Sequence, residues 1–249
     1  MKSLVVGNWK LYINSLTEGK KLLQGIDKKF PRGNKALVVV CPQVSLAVGL
    51  KNGYGGRRIA FGTQDVSYDS EGAHTGSVSP ISLKSSGLEY VIVGHAEMRA
   101  LGDTDETVSK KAVAALAAKL HPIICVGEPK RDTEGSHFVY LAKNVTQSLA
   151  RVDGLSASRL TVAYDPQWAI GESEPPAPRV ISEGIIFIRK TLADMWGREA
   201  ALKTRIIYGG SVNAESAETL VREAHVQGFL VGRASTEPEN FAAIIKAFS

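Results

Sequence analysis

Cysteine is scarce in this chain. Cys41 and Cys125 are the only two in 249 residues, and they stand far apart. That excludes a disulfide framework and a thiolate metal site. Each ends an apolar run, which reads as a buried free thiol in a reducing compartment. No apolar run reaches the roughly 18 residues that a bilayer-spanning helix needs. Asn8 and Lys10 interrupt the first apolar stretch, so no signal peptide is read there, and the cytoplasm is the expected location. No basic run dominates either. The net charge of +5 is spread along the chain. It argues against a nucleic-acid partner and suits an acidic or phosphorylated substrate. No linker of low complexity divides the sequence, and one domain over 1–249 is expected.

What is present is a repeat. Short β-branched runs without polar alternation recur along the chain, as strands buried on both faces of a parallel sheet do. They are expected at 3–7, 36–41, 58–62, 90–93, 122–126, 160–164, 205–208 and 228–231. Helical stretches follow them, at 15–30, 44–51, 80–85, 104–120, 137–152, 180–196, 213–223 and 238–248. Ser15 and Glu18 have the spacing of a capping box opening the first of these. Eight such units in about 250 residues predict an α/β fold of the (β/α)8 barrel class. A doubly wound open sheet is the alternative, but no GxGxxG follows the first strand.

Polar and glycine residues gather at the C-terminal ends of these strands, where barrels of this class place their chemistry. Asp165 ends the sixth strand, before a loop whose tip, Trp168 to Gly171, is apolar. This suggests a carboxylate base under a lid, although an Asp that merely ends a strand reads the same way. Lys10 follows the first strand, where a fixed cation can offset developing oxyanion charge. A solvated lysine is its plain alternative. His95 follows Gly94 near a possible helix start, which favours a neutral imidazole. Glu97 suits an orienting or structural task. Gly209-Gly210-Ser211 and Gly232-Arg233 end adjacent strands, and backbone N–H groups there can cradle a phosphate, with Gly171 adding another.

Five segments carry a resemblance: Gly7 to Lys10, Val93 to Glu97, Ala163 to Gly171, Ile207 to Val212 and Gly228 to Gly232. In that order they resemble the triosephosphate isomerase family, and they cover the whole chain. The resemblance implies a cofactor-independent aldose–ketose isomerase interconverting dihydroxyacetone phosphate and D-glyceraldehyde 3-phosphate in glycolysis and gluconeogenesis. It implies Asp165 as base, His95 as neutral electrophile, and Asn8 and Lys10 on the substrate oxygens. Gly171, Ser211, Gly232 and the N–H of Arg233 would hold phosphate, with Glu97 as a polar neighbour. It also implies a homodimer in which the loop carrying Thr75 enters the partner's pocket near Asn8 and Lys10. The chain departs from the family at several points. The base is usually Glu, Ala96 and Met98 replace a Ser and an Arg, and Arg233 stands where Gly is common. The sixth loop reads Gly171-Glu172-Ser173-Glu174-Pro175-Pro176, where a Gly and a Lys are usual. An isomerase of a larger phosphorylated ketose, such as a tetrulose phosphate, stays open as an alternative.

Overall fold

The computed structural model describes every residue except Ser173. Eight parallel strands close into a barrel in sequence order, and the last bonds back to the first. They are β1 (Leu4–Asn8), β2 (Leu37–Cys41), β3 (Ile59–Thr63), β4 (Tyr90–Val93), β5 (His121–Val126), β6 (Thr161–Tyr164), β7 (Arg205–Tyr208) and β8 (Gly228–Val231). The helices α1 (Leu16–Lys29), α2 (Val44–Gly53), α3 (Pro80–Ser85), α4 (Ala96–Ala100) and α5 (Asp105–Ala117) belong to the first half. The second half adds α6 (Ser136–Ser148), α7 (Pro178–Trp196), α8 (Arg198–Lys203), α9 (Ala217–Glu223) and α10 (Pro238–Lys246).

Strand alternation divides the core in two. Leu4, Val6, Ile92, Ile123, Ala163 and Leu230 belong to a cluster that fills the barrel. Their outward neighbours, such as Val5, Val162, Tyr164 and Phe229, pack beneath the helices. Both cysteines lie in the inner cluster as free, buried thiols, and burial pushes both thiols up, away from reactivity.

Several expected helices are trimmed by local backbone chemistry. The one expected over 104–120 stops at Ala117, because Lys119 takes a left-handed φ of 62°. The one expected from Asn213 starts at Ala217, because the Asn213 carboxamide oxygen accepts the N–H groups of Glu215 and Ser216 in a turn. Helix α8, beyond the left-handed Gly197, was not expected. The box at Ser15 is only half formed. Its hydroxyl accepts the Glu18 N–H, but the Glu18 carboxylate reaches one residue further, to the Asn14 N–H.

Candidate active site

The alternation that fills the barrel also selects what lines its mouth. One inward step past Val6, Ala163, Ile207 and Leu230 come Asn8, Asp165, Gly209 and Gly232. All four border one pocket of about 520 Å³ at the C-terminal ends of the strands. Lys10, His95, Gly171, Ser211 and Arg233 border it too. Nine of the residues that the sequence singled out are therefore brought together around one hollow. Glu97 is joined to it through Lys10. Thr75 is not; it sits in an exposed turn and does not line the pocket.

Asp165 follows β6 and is 3% exposed. Neither of its carboxylate oxygens has a hydrogen-bond partner among the described residues. Strand register sets Tyr164 beside Tyr208, and hence Asp165 beside Gly209. A Cβ on Gly209 would stand 3.0 Å from Oδ1 of Asp165, so the missing side chain leaves the carboxylate its room. Burial pushes the Asp165 carboxyl up to about 7, opposed by the Lys10 cation and reinforced by Glu97. A carboxylate tuned to that range can take and return a proton near neutrality.

His95 has the wrong parity for the pocket, and the chain corrects this at Gly94. Gly94 turns through φ 69°, and a Cβ there would lie 2.6 Å from Val108. Only glycine fits that turn. His95 then caps α4, with its Nδ1 accepting the Glu97 N–H at 3.2 Å. The accepting nitrogen carries no proton, so the ring N–H is on Nε2, which lies 3.6 Å from Oδ2 of Asp165. Burial and then the Lys10 charge lower the His95 imidazole to about 4, against the pull of Glu97. The ring is neutral at physiological pH and donates from Nε2.

Lys10 has a left-handed backbone, φ 42°, which costs a non-glycine residue energy. Two side chains hold it there. Asn8 Oδ1 accepts the Lys10 N–H at 3.2 Å. The Gln64 carboxamide donates to the carbonyls of Lys10 at 2.9 Å and Cys41 at 3.0 Å. Lys10 Nζ pairs with Glu97 Oε1 at 2.7 Å. Gln64, just past β3, thus fixes the backbone from which the cation projects, a task that its place at a strand end does not reveal.

The sixth loop is anchored below the pocket. Fully buried Glu128 accepts from the Tyr164 hydroxyl at 2.9 Å and from the Trp168 indole at 2.8 Å, both on Oε1. Ser211 ties the loop from the other side. Its N–H donates to Ala169 O at 3.3 Å, and its hydroxyl lies 2.6 Å from Glu172 O and 3.0 Å from Ala169 O, with one proton to give to either. In this loop position Ser211 holds the lid, and a phosphate would have to compete for its N–H. The sequence showed Trp168 only as part of an apolar loop tip, and nothing in it pointed to Glu128 as its partner.

Barrel, buried carboxylate, neutral imidazole and fixed cation define a class: (β/α)8 enzymes that work by acid–base chemistry at the C-terminal mouth. The chain belongs within that class to the triosephosphate isomerase family, whose model it matches over residues 3–248. It is 39% identical to the triosephosphate isomerase of Carboxydothermus hydrogenoformans over 98% of both chains. It is equally identical to that of Moorella thermoacetica over 98% of both, and 37% identical to that of Endomicrobium trichonymphae over 98% of both.

Proposed function

We propose that this isomerase interconverts dihydroxyacetone phosphate and D-glyceraldehyde 3-phosphate, as one barrel domain over 1–249 and without a cofactor. The observation that carries the reading is the pairing of an unpartnered, buried carboxylate at Asp165 with a neutral imidazole at His95. Asp165 takes the proton from the carbon beside the carbonyl. The electron pair left behind moves onto the carbonyl oxygen, which His95 meets with its Nε2–H and Lys10 meets with its charge. The proton on Asp165 returns to the neighbouring carbon, while His95 gives its Nε2 proton to the oxygen there and takes the hydroxyl proton from the oxygen on the first carbon, whose electron pair closes the new carbonyl. Nothing is gained or lost overall, so no redox partner is required. Asn8 orients the substrate oxygens. Backbone N–H groups at Gly171, Ser211, Gly232 and Arg233 take the phosphate.

The chain acts in the cytoplasm, in glycolysis and gluconeogenesis, and binds neither nucleic acid nor membrane. No helix among the described residues is long and apolar enough to cross a bilayer. Two copies pair, with the Thr75 loop of one against a hollow of about 260 Å³ on the other. That hollow borders Asn8, Lys10, His95 and Glu97 and has apolar walls at Val44, Val78 and Met98. A coupled assay offering glyceraldehyde 3-phosphate and a tetrose phosphate tests the activity. Turnover of the triose alone is expected. Preferential turnover of the tetrose would overturn the reading.

A further inference from the structure

The charges around the pocket do not balance for a dianionic guest. Asp165, Glu172 and Glu237 line it, against the cations Lys10 and Arg233. Lys10 is already paired with Glu97 at 2.7 Å. Ser211 has both its N–H and its hydroxyl directed to carbonyls of the sixth loop. The Arg233 guanidinium, by contrast, has no carboxylate partner among the described residues. It lies over the Tyr12 ring, 5.5 Å from the centroid, at the rim of the same hollow.

We propose that the side chain of Arg233, and not only its backbone N–H, is a binding residue for the substrate's phosphate dianion, held ready by Tyr12. The inference rests on the isomerase reading above for where the phosphate lies. Three physical points support it. A guanidinium presents a planar fork that matches two phosphate oxygens at once. Stacking on an aromatic face removes rotamer freedom before the substrate arrives, so less is lost on binding. An unpaired cation at the mouth of a pocket rimmed by carboxylates also steers anions inward, an effect that salt weakens. Gly232 just before it sets the position. A Cβ on Gly232 would meet nothing nearer than Lys10 Cε at 4.0 Å, so the residue before Arg233 borders open pocket, and Arg233 and Tyr12 line the same hollow.

The test compares the wild type with Arg233→Gly, Arg233→Lys and Tyr12→Leu. For Arg233→Gly, KM for glyceraldehyde 3-phosphate should rise about tenfold or more while kcat changes far less. The preference for glyceraldehyde 3-phosphate over unphosphorylated D-glyceraldehyde, as a ratio of kcat/KM, should fall by a similar factor. The ionic-strength dependence of kcat/KM should flatten. Arg233→Lys should restore part of each, and Tyr12→Leu should move KM in the same direction by less. A KM and a salt slope unchanged in Arg233→Gly would overturn the inference and leave the isomerase reading standing. Were the wild type inactive on triose phosphates, that reading would fall by itself. Calorimetric titration of wild type and Arg233→Gly with inorganic phosphate would then decide the role of Arg233, and equal affinities would overturn it.

Discussion

Nε2 of His95 and Oδ2 of Asp165 stand 3.6 Å apart across the barrel mouth, on chain ends whose strands, β4 and β6, share no ladder. That separation is beyond a hydrogen bond. The imidazole proton is therefore not committed to the carboxylate, and both groups face the same hollow. A proton acceptor and a proton donor this close, each without another partner, are what an α-proton abstraction requires.

Activity should fall on the acid side of neutrality. As the proposed base, Asp165 must be ionised to act, and burial holds its carboxyl at about 7. kcat/KM should therefore lose about tenfold per pH unit below that point. His95, lowered to about 4, should add no inflection above pH 5. Nitrogen NMR of the imidazole should find it neutral with its proton on Nε2 from pH 5 to 9. Asp165→Ala should lower kcat by roughly 10²–10⁴-fold. Full activity in that variant would remove Asp165 from the mechanism.

Asp165 should also cost the fold stability at high pH. Its folded value lies above its ordinary carboxylate value, so the native state keeps a proton that the unfolded chain has released. Stability from this group is full below about pH 4, falls as pH rises to about 7, and is lost above it. Asp165→Asn removes the effect. The variant should gain on the order of 4 kcal/mol over wild type at pH 8 and little at pH 4. His95 works in the opposite direction between about 4 and 6.5, but it is common to both proteins. Urea titrations at the two pH values check the sign; an equal advantage at both would refute it.

Reach is the open variable at Asp165. Asp is one methylene shorter than the Glu usual in this family, and a misplacement near 1 Å costs on the order of a hundredfold in rate. Asp165→Glu should raise kcat at similar KM if the backbone has stayed where Glu needs it. A slower variant would mean that the backbone around Asp165 has adapted to the shorter acid.

Trp168→Phe should loosen the sixth loop. It deletes one of the two hydrogen bonds to buried Glu128 and leaves the carboxylate with the Tyr164 hydroxyl alone. A loss of about 1–3 kcal/mol is expected when a buried carboxyl acceptor loses one of its donors. Chemical denaturation measures it, and faster proteolytic cleavage between Gly171 and Pro178 should accompany it. Unchanged stability would show that the indole bond contributes nothing.

Pairing of two chains is tested by light scattering. A 26.7 kDa chain should scatter at about twice that mass at micromolar concentration. Shortening the loop around Thr75 should shift it toward the single-chain mass and lower activity. A fully active wild-type species of single-chain mass would rule the dimer out.

The sequence determined the strands, and through them the barrel. Runs buried on both faces are continuously apolar, so eight of them with helices between are legible without coordinates. Asp165, Gly209 and Gly232 were legible for the same reason: each follows an apolar run, at the mouth end where polar and glycine residues gather. Tertiary structure decided the rest. It made Lys10 an ion pair and not a free charge, because Glu97 comes to it from another strand end. It gave Gln64 and Glu128 their tasks, since each bonds partners remote in sequence. It spent Ser211 on the lid and left Arg233 over Tyr12. Periodicity reports which side of an element is buried. It carries nothing about which side chains meet across the barrel, and burial and charge there set the values of about 7 and about 4 on which the chemistry depends.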